Sequence, residues 1–161
     1  MSHPSLGLPP QDLSAGDPAA AAAAIRSGGP RLSARAMAAA LDLDPTLRDR
    51  HDPVVQQALL ADLDAFADRL VVAVSSGDPH AMAKFADLVA VRYRKRRISM
   101  DDVVTLCEGL RRTAVAVVES AAAPAVDAAM DAAVEVFRWH GRLAGDGRKR
   151  HPLIAFIYKG A

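Results

Sequence analysis

The side chains here best suited to moving a proton or holding a metal near neutral pH are five histidines, His3, His51, His80, His140 and His151, and a single cysteine, Cys107. Imidazole chemistry needs an orienting partner at a fixed distance, and no spacing among the five supplies one. His51 and His80 fall at or near expected helix starts and His140 near a helix end, while His3 and His151 lie in loop-like stretches. Carboxylate-bridged metal bundles use Glu-x-x-His pairs, and neither Glu108, Glu119 nor Glu135 has a histidine three residues on. There is no G-x-G-x-x-G, no G-x-x-x-x-G-K-[ST], no H-E-x-x-H and no EF-hand loop. Cys107 has no partner for an intrachain disulfide and cannot build a cysteine zinc site; between Leu106 and Leu110 it reads as a small buried apolar residue. The expectation is therefore a non-enzyme with no catalytic residue, no metal and no cofactor. A haem between helices is the alternative, with His80, His140, Tyr93 or Cys107 as candidate axial ligands.

Two segments remain as candidates for binding. Residues 92 to 97 run Arg92, Tyr93, Arg94, Lys95, Arg96, Arg97. Cations at a helix C-terminus oppose the macrodipole, and Asp101 and Asp102 at the next helix start are natural counter-charges. The other reading of Arg92, Arg94, Lys95, Arg96 and Arg97 is an anion or partner patch, reinforced by Arg111, Arg112 and the later Arg148-Lys149-Arg150. With one aromatic in the run and no helix-turn-helix, nucleic acid is not the expected partner. The second segment follows Pro152, where Leu153, Ile154, Phe156, Ile157 and Tyr158 form an apolar run that should not stay in water. It either folds back on the core or docks on a protein partner.

The elements that must position these groups are helical. Alanine and valine dominate the apolar residues, aromatics make up 4%, and alanine favours helix because it loses no side-chain entropy there. Residues 1–16 read as a flexible leader and 17–50 as an arm of short helices, one opened by Asp17-Pro18 and one capped by Ser33. Four stronger segments follow in 51–147. Leu59, Leu63, Phe66, Leu70 and Val74 make one stripe, and Met82, Phe85, Val89 and Tyr93 a second. Val103, Leu106, Leu110, Ala114 and Val117 make the third, and Val126, Met130, Ala133 and Phe137 the fourth. Gly77 should stop the first of these helices, and Ser99 with Asp102 resembles a capping box at the third. Short connections favour antiparallel neighbours, so the expected fold is all-α, an up-down four-helix bundle core with short N-terminal helices and an apolar C-terminal tail at 148–161.

A formal net charge of +1 is too small to imply an all-round polyanion binder, so any electrostatic role must come from local clustering. No stretch reaches the roughly 20 apolar residues of a membrane span, and no basic-then-apolar start suggests a secretory signal, so the cytoplasm is the expected location. From about Leu47 to Phe137 the order of features resembles the helical N-terminal sensory domains of the RsbR type, which also precede some bacterial histidine kinases. The stretch from Ala90 to Val104, then Leu110-Arg111-Arg112, carries the likeness; Arg97 stands where that family commonly has glycine. The resemblance implies a non-enzymatic, dimerising bundle that passes a signal onward. The functional expectation is a regulatory or accessory protein acting through protein contacts, as a homo-dimer or hetero-oligomer and possibly within a larger complex. The alternative is a sensor for haem or a small apolar molecule.

Overall fold

The structure, a computed structural model, describes residues 16–144; it is all-α, with no strand among those residues. Helix α1 spans Pro18–Leu43, α2 Leu47–Arg50, α3 Pro53–Ser76, α4 His80–Lys95, α5 Met100–Val115 and α6 Ala123–Ala144, the last preceded by a 3-10 turn at Ser120–Ala122. No described helix is long and apolar enough to cross a membrane.

The ends of these helices follow from local chemistry. Asp17 and Asp52 accept hydrogen bonds from the Ala19 and Val55 amides at 2.9 and 2.8 Å, and Pro18 and Pro53 occupy the first turn, where a missing N–H costs nothing. Asp78 accepts from the His80 amide at 2.9 Å, and Ser99 from the Asp102 amide at 3.2 Å. Two helix ends close with the same paired turn. At the end of α3 the Asp78 amide donates to the Ala73 carbonyl and the Gly77 amide to Val74, with Gly77 at φ 65°. At the end of α4 the Ile98 amide donates to Tyr93 and the Arg97 amide to Arg94, with Arg97 at φ 58°. Arg97 thus stands in a left-handed conformation that suits glycine and strains other residues.

All four sequence stripes face inward. Leu59, Leu63, Phe66, Leu70 and Val74 of α3, Met82, Val89 and Tyr93 of α4, Val103, Leu106, Leu110 and Ala114 of α5, and Val126, Met130, Ala133 and Phe137 of α6 are all buried. Phe66 meets the Phe85 and Phe137 rings edge-on, with centroids 5.2 and 5.9 Å apart, and Tyr93 meets Phe137 at 6.2 Å.

The segment expected as an arm is instead a full member of this core. Helix α1 packs along both α3 and α5, burying Ala21, Ala22, Ile25, Leu32, Ala36 and Ala40. An alanine-rich helix has little to bury by reach, but it can bury itself by proximity. Opposite it stands Gly109, where a Cβ would lie 2.3 Å from the Ala36 carbonyl oxygen, so only glycine allows this approach. Ser33 does not cap a helix; it lies within α1, buried, past a kink where Gly29 takes φ 46° before Pro30. The packing order also departs from the up-down expectation. Helices α4 and α5, joined by a short corner, touch little; α4 packs mainly on α6 and α5 on α1 and α6. The five longer helices close a ring in the order α1, α3, α4, α6, α5.

Candidate functional site

Of the basic run, Arg92, Arg94, Lys95 and Arg97 are exposed at the end of α4. Arg96 is committed elsewhere: its Nη1 donates to Asp62 Oδ2 at 2.7 Å, and its guanidinium lies over the Tyr93 ring, 5.6 Å from the centroid. Arg111 does not reinforce the patch either. It is paired with Glu108 on its own helix and with Asp127 and Asp131 on α6, fastening α5 to α6. Leu153, Ile154, Phe156, Ile157 and Tyr158, with Arg148, Lys149, Arg150, His3 and His151, lie outside the described residues.

Asp102, expected as a counter-charge to the basic run, is claimed from another direction. Its carboxylate is 2% exposed. Arg50 Nη2 donates to its Oδ1 at 2.7 Å, and His51 Nε2 lies 2.8 Å from its Oδ2. The same Arg50 reaches Asp44 Oδ2 at 2.8 Å and bonds the Thr46 hydroxyl, which itself donates to Asp44 Oδ1 at 2.6 Å. Burial works against the Arg50 charge, but the bonds to Asp44 and Asp102 outweigh it, and the guanidinium is held above its ordinary range. A carboxylate on an imidazole could orient a general base, yet no described hydroxyl or thiol hydrogen-bonds to His51 as a nucleophile would. The cluster acts as a bracket that ties the turn after α1 to the first turn of α5. Nothing in the sequence signals it, because its halves are distant in the chain and each looks like ordinary capping chemistry.

The haem-ligand candidates take separate roles. His80 is exposed at the start of α4. His140 is buried with its Nε2 2.8 Å from Asp87 Oδ1, and Trp139 stacks edge-on against it at 4.9 Å. Burial pushes the Tyr93 hydroxyl and the Cys107 thiol well above their ordinary ranges, so neither is disposed to ionise as a ligand or nucleophile. Among the described residues, no three His, Cys, Asp or Glu side chains gather as a metal site.

The surface feature with most to offer lies across α4 and α6. A shallow depression of about 320 Å³ is lined by Asp87 of α4 and by Glu135, Val136, Trp139 and Arg142 of α6, and a second joins Arg94 and Arg97 to Ala144. The C-terminal ends of the two helices therefore lie close together. On their outer side Leu88 and Leu143 are each 63% exposed, Trp139 50% and Val91 47%. These positions recur at helical spacing just outside the core stripes, which is the sequence signal that would have exposed them. Scattered apolar side chains are ordinary on a surface; here two large ones stand exposed on each of the two helices, and Trp139 also lines the depression.

Compared with known proteins, the chain matches no family model, no curated protein and no solved structure.

Proposed function

We propose that this chain is a non-catalytic regulatory or accessory protein that works by docking another protein, with the outer face of α4 and α6 as its contact surface. The observation that carries this reading is the exposed set Leu88, Val91, Trp139 and Leu143 on two helices whose ends also expose the cations Arg94, Lys95 and Arg97. Large apolar side chains next to arginines are the usual make-up of a protein interface. Leu153, Ile154, Phe156, Ile157 and Tyr158 form a second anchor, consistent with the onward signalling that the RsbR-type resemblance implies. The working location is the cytoplasm, and the assembly is a homo-dimer or hetero-oligomer within a larger complex.

The sensor alternative has less behind it. The space between the helices is filled by Phe66, Phe137, Leu63, Leu106, Leu110 and Met130, and His140 is already engaged by Asp87. The test is affinity capture from the native host, with mass spectrometry of the wild type and of Trp139→Asp. The expected result is a stoichiometric partner that Trp139→Asp loses while keeping wild-type helicity. An identical set of captured proteins from both would remove the α4–α6 face from the account.

A further inference from the structure

Twice among the described residues an arginine lies over an aromatic ring, Arg69 over Phe85 and Arg96 over Tyr93. In the second case three parts act together: the ring, the guanidinium on its face, and the Asp62 carboxylate that accepts from it. The depression lined by α4 and α6 holds two of those parts. Trp139 is the ring, half exposed, and Asp87 and Glu135 are the carboxylates, with Val136 adding an apolar lining. Indole attracts a cation more strongly than phenol or benzene does, yet no arginine of this chain lies over Trp139 among the described residues.

These parts are held in place. Buried His140 sets its Nε2 2.8 Å from Asp87 Oδ1 and meets the Trp139 ring edge-on, so one imidazole positions both the acid and the indole. Its Nδ1 has no hydrogen-bond partner among the described residues, which leaves Asp87 as the ring's single polar tie there. Asp87 itself stays 66% exposed and can accept a second donor. On α6, Glu135, Trp139 and Arg142 step by four and three, which places them on one side of the helix. Glu135 has no ion pair among the described residues. Two carboxylates against the one guanidinium of Arg142 leave the lining with a formal charge of −1, so it asks for a cation.

Shape and chemistry narrow that cation. A shallow depression covers only part of what enters it; a free small ion would stay mostly in water, whereas a side chain carried by a larger surface brings further contacts. A planar guanidinium suits the site better than an ammonium, because it stacks on indole and forks onto a carboxylate at once. From the exposed indole, the two carboxylates and the precedent of Arg96, we infer that this depression receives an arginine side chain of the docking partner. The guanidinium lies over Trp139 and donates to Asp87 and Glu135. This rests on the docking reading above and is tested apart from it.

Trp139 is the chain's one tryptophan, so a single indole N–H signal in the NMR spectrum reports this depression. The full chain is titrated with a blocked Gly-Arg-Gly peptide, and with the same peptide carrying lysine or citrulline, the neutral isostere of arginine. The arginine peptide should move that signal saturably, with Kd on the order of a few mM, and citrulline should bind roughly tenfold more weakly. Lysine should fall between them. Glu135→Gln should weaken the arginine peptide about threefold, and Arg142→Gln should strengthen it by about as much, since it removes the competing charge.

No saturable shift with the arginine peptide, or an equal one with citrulline or lysine, overturns the inference; loss of the captured partner in Trp139→Asp would still leave the docking reading standing. Binding that appears only after residues 148–161 are removed gives the depression to the chain's own Arg148, Lys149 and Arg150. An indole signal that moves with protein concentration gives it to a second copy. Either result overturns the assignment to a partner.

Discussion

Two histidines in this protein make the same contact in opposite settings. His51 and His140 each place Nε2 2.8 Å from a carboxylate, Asp102 in one case and Asp87 in the other. Asp102 is 2% exposed and also holds Arg50, whereas Asp87 is 66% exposed. A buried carboxylate loses most of its hydration and must recover it from fixed donors, so Asp102 draws in a guanidinium as well as an imidazole. Asp87 keeps its water, and its bond to His140 mainly satisfies a nitrogen that would otherwise be buried alone. Equal distances therefore stand for unequal energies.

The sharpest way to break this comparison is to delete each acid. Asp102→Ala leaves the His51 donor facing a buried gap while Arg50 keeps Asp44, and should lower unfolding stability by about 1.5–3 kcal/mol in urea denaturation. A loss below about 1 kcal/mol would mean that the bracket is no stronger than a surface pair.

An alkaline titration probes two buried groups whose ionisation is opposed mainly by burial. Burial raises the Cys107 thiol above its ordinary 9.0 and the Tyr93 hydroxyl above its ordinary 10.0. The unfolded chain then releases these protons first, so stability should fall as pH climbs past 9.0 and faster past 10.0. Each group contributes at most about 1.4 kcal/mol per pH unit. Cys107→Ala should delete the earlier component, and native Cys107 should resist a thiol reagent at pH 8 until denaturant is added (about one pH unit below its ordinary range).

Smaller effects complete the series. Asp87→Ala should cost less than about 1 kcal/mol, because solvent screens the partner it removes. Arg97→Gly acts at the corner between the helices that carry the two acids. It should raise stability by about 0.5 kcal/mol by relieving the left-handed backbone, less the added freedom of glycine when unfolded.

What could be read from the sequence divides along the same line as these pairs. The α3 to α6 stripes were legible, because a helix face is a local pattern and Leu63, Phe66 and Leu70 point inward whatever lies opposite. Asp52, Gly77 and Ser99 were legible for the same reason: capping is decided within one turn. The place of α1 was not, since its burial depends on Gly109 far along the chain rather than on any large side chain of its own. Of the expected patch, Arg92, Arg94, Lys95 and Arg97 are exposed, while Arg96 is drawn off by Asp62 and Arg111 by three acids, both choices fixed only by packing. Asp102 was seen as a helix-start acid, and the Arg50 and His51 that bury it come from another part of the ring.

The close seating of Ala36 against Gly109 bears on how the protein is made. During synthesis α1 leaves the ribosome before α3 and α5, yet one of the two surfaces it must cover does not exist until α5 has emerged. Until then its buried face has only α3 to rest on, so α1 cannot lock in place before α5 arrives. Contacts so distant in sequence slow the search for the native arrangement more than local helix pairing would. They also bind the described helices into one cooperative unit that should melt in a single step.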